Sequence, residues 1–233
     1  TDFSGEYQSD MKIRVRAIDE YNNQSSYVES SSFVLDTTDP VINNLSVEQQ
    51  TGSSDVMIVY NLADNSSPNL TVELDISDDG GSTWTVTDTS VVGNIGSGQA
   101  SGVGKIITWD AATDFGSGYD GDMRVRLRAS DKFTNQSEYV ESANFDLDIS
   151  DPNISNIVVA QNTGDTDVVI TYDLADNTAT GLTVALLISD DSGSTWTVSN
   201  LNAVGAVGSN QSTGAGKSIT WAADTDFDGE YQT

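Results

Sequence analysis

Met123-Arg124-Val125-Arg126-Leu127-Arg128-Ala129 alternates apolar and cationic residues without a break, and Met11-Lys12-Ile13-Arg14-Val15-Arg16-Ala17 carries the same pattern. Successive side chains on a β-strand point to opposite faces, so strict alternation marks a strand with one face on a core and the other in water. Met123, Val125, Leu127 and Ala129 are expected inside and the three arginines outside.

The two stretches belong to a larger repeat. Thr1-Asp2-Phe3 recurs at Thr113-Asp114-Phe115 and at Thr225-Asp226-Phe227, an offset of 112 residues each time (113 − 1 and 225 − 113). Asn23-Gln24-Ser25, Tyr27-Val28-Glu29-Ser30, Asp36, Asp39-Pro40, Trp84 and Trp109 recur at the same offset with no insertion or deletion. A period of this size marks an array of similar domains. The expected division is 1–38 as the closing strands of one repeat, 39–150 as a complete repeat and 151–233 as the opening strands of the next. Because the window opens and closes inside a repeat, the parent chain is expected to be longer at both ends.

Within the complete repeat, period-two runs bounded by turn residues predict seven strands. They are Val41 to Val47, Val56 to Leu62, Leu70 to Ser77, a fourth opened by Trp84, Ile106 to Trp109, Met123 to Ala129 and Tyr139 to Leu147. Residues 93–104 read as a Gly/Ser-rich loop. The expected class is all-β, with seven-stranded β-sandwich domains in a linear array. Trp84, Trp109, Trp196 and Trp221 sit on expected strands at repeat-equivalent positions and read as core.

Tyr119 followed by Arg124-Val125-Arg126-Leu127-Arg128-Ala129 resembles the closing strand of fibronectin type III domains. Asp36-Thr37-Thr38-Asp39-Pro40 resembles the junctions of bacterial or archaeal surface proteins built from tandem immunoglobulin-like domains. The resemblance implies that strands one, two and five share one sheet and strands four, three, six and seven the other.

Composition narrows the chemistry. Nine Lys+Arg against 36 Asp+Glu leave a net charge of −27, which repels nucleic acid and anionic membrane surfaces. With no Cys and no His, thiolate nucleophiles, imidazole bases and the common zinc ligands are missing. No apolar run is long enough to insert in a membrane. Ser77-Asp78-Asp79-Gly80-Gly81-Ser82-Thr83-Trp84 and its copy at Ser189 to Trp196 resemble the Asp-box hairpin, which is structural: the acid and hydroxyl bind backbone N–H groups while Gly supplies positive φ. Gly104-Lys105 lacks the earlier Gly of a phosphate loop, since Gln99 stands there. The paired carboxylates Asp78/Asp79, Asp120/Asp122 and Asp190/Asp191 fall on turns, so no catalytic residues are assigned and no enzyme is expected.

Two charge patterns lead to structural expectations. Glu73 and Asp75 should lie across from Arg124, Arg126 or Arg128 as a cross-strand ion ladder. Acids also concentrate at the expected junctions. Asp36 and Asp39 should meet Asp19 from the preceding repeat and Asp64 from the following one, and Asp148 and Asp151 should likewise meet Asp131 and Asp176. Clustered oxygens suit calcium, which takes six to eight of them. The competing reading is that Asp39 and Asp151 cap a turn before Pro40 and Pro152.

The function these features point to is a non-catalytic structural repeat of a secreted or cell-surface stalk, adhesin or filament. Its expected partners are neighbouring repeats and other copies in a fibre. A glycan- or protein-binding array is the alternative, and an accessory region of a large secreted hydrolase is the third.

Overall fold

Alternation governs the structure throughout: strand takes up 52% of the described residues and helix 4%, in several antiparallel sheets, as an all-β chain requires. The computed structural model describes residues 5–65 and 68–227. The Thr1-Asp2-Phe3 copy of the repeat motif lies outside the described residues. The chain separates into two compact units, Thr1–Ile149 and Ser150–Thr233.

The first unit opens with β1 (Tyr7–Met11), β2 (Arg14–Val15), β3 (Val28–Glu29) and β4 (Phe33–Asp36), in which β1 pairs β4 and β2 pairs β3. Most of their residues are exposed, Met11, Leu35 and Asp36 excepted. The full repeat follows as β5 (Val41–Gln49), β6 (Asp55–Ala63), β7 (Leu70–Ser77), β8 (Val91–Gly93), β9 (Gly96–Gln99), β10 (Gly102–Asp110), the short helix α1 (Ala111–Asp114), β11 (Tyr119–Ser130), β12 (Val140–Glu141) and β13 (Phe145–Asp148). One sheet runs β5-β6-β10-β8; the other runs β12-β11-β7-β9, with β13 also on β11.

Both sheets turn apolar faces to one core. Val56, Ile58, Tyr60 and Leu62 of β6 and Ile107 and Trp109 of β10 cluster with Leu70, Val72, Leu74 and Ile76 of β7 and with Met123, Val125, Leu127 and Ala129 of β11. Every second residue is buried along β6 and β7 and from Met123 onward in β11, as period-two alternation dictates. A side-chain amide closes one end of the repeat: Gln49 Nε2 donates to the Asp148 carbonyl at 2.7 Å, and the Asp148 N–H donates to Gln49 Oε1 at 2.8 Å.

Two expectations give way here. The Gly-rich stretch at 93–104 is not a flexible loop, since it holds the end of β8, all of β9 and the start of β10. Gly93 makes this route feasible. At φ +104° it lies so close to β10 that a Cβ would sit 2.4 Å from the Ile106 carbonyl oxygen. Trp84 opens no strand; the segment after it touches β7 through a single bridge, Val86 to Ile76. Trp109 is fully buried and Trp221 nearly so, but Trp84 is only partly covered and Trp196 is 56% exposed. Trp84 packs on the polar side of β11, where the Arg126 guanidinium lies 4.4 Å from its ring centroid.

The second unit repeats the first half of this plan, with β14 (Asn153–Gln161), β15 (Asp167–Ala175), β16 (Leu182–Val184), β17 (Ala203–Gly205), β18 (Gly208–Gln211), β19 (Gly214–Ala222) and helix α2 (Ala223–Asp226). One sheet is β14-β15-β19-β17, and β16 pairs β18. Ile170, Tyr172, Leu174, Val184, Ile219 and Trp221 form its core. Asn44 in β5 and Asn156 in β14 both take φ 53°, each inside a break of register with the next strand. Asn tolerates the left-handed region better than most side chains, which accounts for its presence at both bulges.

Candidate metal centre

Three strand ends bring acids together. Asp36 is the last residue of β4, Asp64 follows the end of β6, and Asp131 follows the end of β11. Antiparallel pairing of β11 with β7 sets Ser130 opposite Thr71, so the turn leaving β11 lies beside the turn entering β7. One carboxylate oxygen from each of Asp36, Asp64 and Asp131 lies within 4.8 Å of the other two.

Local hydrogen bonds hold the three in place. Asp131 Oδ1 accepts the backbone N–H groups of Phe133 and Asn135 at 2.8 and 2.9 Å, an Asx turn that fixes the carboxylate. The Asn135 amide donates to Asp131 Oδ2 at 2.9 Å and to the Asp36 carbonyl at 3.2 Å, tying the two together. Asp36 Oδ1 accepts from the Thr38 N–H at 3.0 Å, and the Asn65 amide donates to Thr38 Oγ1 at 2.8 Å. The Asp64 N–H donates to Ser101 Oγ at 3.0 Å. Ser101 was not singled out from the sequence; the hydroxyl residue Thr213 at its repeat-equivalent position is the signal that marks it.

Asp36 and Asp131 are each 7% exposed, and Asp36 Oδ2 is buried with no hydrogen-bond partner. Burying a carboxylate oxygen without a donor is costly unless a cation or a proton meets it. Two unit charges about 4 Å apart repel by roughly 4 kcal/mol at the effective dielectric of a protein surface. An all-oxygen set of carboxylates, amides and hydroxyls suits a hard divalent cation such as calcium.

The grouping differs from the expected one. Asp131, not Asp19, joins Asp36 and Asp64, because the turn after β11 belongs to the same pair of sheets as the turn after β6. Asp19 keeps to its own loop, exposed, where it accepts from the Tyr21 N–H and from the N–H and side-chain amide of Asn23. The Asn23 side chain, then its backbone, hold the Asp19 carboxyl below its usual value. Asp39 and Asp151 are exposed and outside the cluster. Asp148 lies in the first unit at the Gln49 clamp, and Asp176 in the second, where Asp176 Oδ2 accepts from the Thr178 N–H at 3.1 Å while its Oδ1 is buried with no hydrogen-bond partner.

The Asp-box residues are engaged by their own hairpin. Asp79 Oδ1 accepts from the Thr83 N–H and the Ser77 hydroxyl, both at 2.8 Å, and Oδ2 accepts the Thr83 hydroxyl at 2.8 Å. Asp191 makes the same bonds with Thr195 and Ser189. The expected ion ladder is present: Arg126 Nε lies 2.8 Å from Asp75 and Arg128 Nε 2.6 Å from Glu73, each pair in register, while Arg124 pairs with Glu141 at 3.2 Å.

No protein-family model, curated protein or solved structure matches this chain.

Proposed function

We propose that the chain is a stretch of an extracellular tandem-repeat protein, in which β-sandwich domains of immunoglobulin or fibronectin type III type follow one another as a stalk or filament. Calcium at Asp36, Asp64 and Asp131 would tie the last strand of one repeat to the loops of the next. The observation that carries this reading is the buried, unpartnered Asp36 Oδ2 on the last residue of β4, between two acids of the following repeat. Each repeat then supplies length, and the cation removes freedom from the link. The test is X-ray scattering from three consecutive repeats, with calcium and then with chelator. A rod that loses stiffness on chelation is expected; equal stiffness in both, with thermal unfolding indifferent to calcium, would sink the reading.

A further inference from the structure

The turn that supplies Asp131 has a backbone its own sequence resists. Thr134 takes φ 72°, in the left-handed region that β-branched side chains rarely enter. The Asp131 N–H donates to the Asn135 carbonyl at 3.0 Å and the Thr134 N–H to the Asp131 carbonyl at 3.2 Å. Closed in this way, the five-residue turn puts its fourth residue in the left-handed region. Thr134 is exposed, so burial does not impose that conformation.

The same turn occurs 112 residues earlier with a different residue in that place. From Asp19 to Asn23, the Asp19 N–H donates to the Asn23 carbonyl and the Asn22 N–H to the Asp19 carbonyl, both at 3.0 Å. Its left-handed position, at φ 67°, holds Asn22, a side chain that tolerates this region. The complete repeat keeps the geometry with Thr and carries strain that the earlier copy avoids.

That strain bears on the metal centre. The closed turn holds Asp131 with a carboxylate oxygen within 4.8 Å of those of Asp36 and Asp64, and it brings the Asn135 amide to the Asp36 carbonyl at 3.2 Å. Repulsion among three ionised carboxylates and the left-handed Thr134 both favour an open turn. Two bonds oppose them, the Phe133 and Asn135 N–H groups donating to Asp131 Oδ1. A cation removes the repulsion and adds its own bond to Asp131, which tips the balance to the closed form.

We propose that Thr134 makes the turn from Asp131 to Asn135 a latch that calcium closes. Without the ion the turn spends part of its time open, with Asp131 away from Asp36 and Asp64 and Asn135 off the Asp36 carbonyl. Thr134 supplies no ligand; it is a positioning residue that acts through Asp131. Where the binding-competent form is only partly populated, the apparent dissociation constant rises by the inverse of its population. Thr134 thus moves the calcium response of the link to higher concentrations than the same ligands would give with Asn in its place.

This inference rests on the calcium reading of Asp36, Asp64 and Asp131, whose own support is the buried Asp36 Oδ2 and not the turn. Titration calorimetry of the 233-residue chain with calcium chloride keeps the two apart. Thr134→Asn should tighten binding by about threefold or more. Asn22→Thr puts the same strain in the turn outside the site and should leave the affinity unchanged. Hydrogen exchange reads the latch itself: the Phe133 and Asn135 amides of the parent chain should exchange about tenfold or more faster without calcium than with it, and Thr134→Asn should narrow that gap. Equal affinity in the parent and Thr134→Asn, even with a higher calcium-free melting temperature for the variant, would make the strain purely structural and overturn the proposal. Amide protection that calcium does not change overturns it as well. A parent chain and variants that bind no calcium at all overturn the calcium reading, and the latch with it.

Discussion

The indole Nε1 of Trp109 donates to Asp114 Oδ2 at 3.0 Å, and Trp221 Nε1 donates to Asp226 Oδ2 at 2.9 Å. This bond explains why Thr-Asp-Phe recurs where it does. The Asp of the motif sits on α1 or α2, five residues past the tryptophan that closes the preceding strand. Asp114→Ala leaves a buried indole N–H without an acceptor and should cost about 1–3 kcal/mol, read from the urea midpoint.

Acid should destabilise the fold through a defined set of carboxylates. For Asp79 the Thr83 N–H, then the Ser77 and Thr83 side chains, hold the carboxyl below its usual 3.8; Asp191 is held down in the same way. Burial pushes Asp114 up, but donors from Ser90, Thr89 and Trp109 outweigh it and leave it lowered. A carboxyl depressed in the fold contributes stability above its unfolded value, and that contribution is lost as pH falls through the folded value. Asp88 opposes them, since burial raises it and it weakens the fold at higher pH. The urea midpoint should therefore fall below pH 3.8, and Asp79→Asn should flatten that limb.

Glu73 and Asp75 face Arg128 and Arg126 on a partly exposed sheet surface, where each pair contributes roughly 0.2–1 kcal/mol. Replacing both acids with Lys sets like charges across the strands, and the loss should reach about 1–2 kcal/mol. Thermal unfolding measures it, and added salt should shrink the difference. An unchanged melting temperature would contradict the pairing.

Calcium should raise the melting temperature of the chain. The stabilisation approaches about 2.7 kcal/mol when the ion is present at 100 times its dissociation constant. Asp36→Asn or Asp131→Asn should abolish the calcium-dependent shift, whereas Asp39→Asn, altering an exposed acid outside the cluster, should leave it in place.

The strands were legible where period-two alternation is strong. The run from Met123 to Ala129 and that from Val56 to Leu62 lie on strands whose inward residues are those the alternation names. What escaped was structure made by backbone rather than side-chain pattern. Strands β8 and β9 lie in a Gly-rich stretch with little apolar periodicity, and their path depends on a close approach of Gly93 to β10. Trp84 was misplaced because a large aromatic residue signals burial without saying what buries it; here a guanidinium does. The acids of the metal centre could be named from composition and turns. The pairing of β11 with β7 was expected from their charges; what the sequence did not carry is that β4 delivers Asp36 to the end where the turns after β6 and β11 lie, next to Asp131 and its Asn135.

Gln49 gives the repeat a mechanical character. The strands of the repeat run from Val41, the first residue of β5, to Asp148, the last of β13, which Gln49 grips from the far end of β5. At ~3.3 Å per residue the two ends lie about 25 Å apart along β5. Tension applied through the chain therefore runs lengthwise along the strands and loads the ladders in shear, so many hydrogen bonds must yield together. Single-molecule pulling of Gln49→Ala beside the parent sequence would measure how much of the rupture force depends on that clamp.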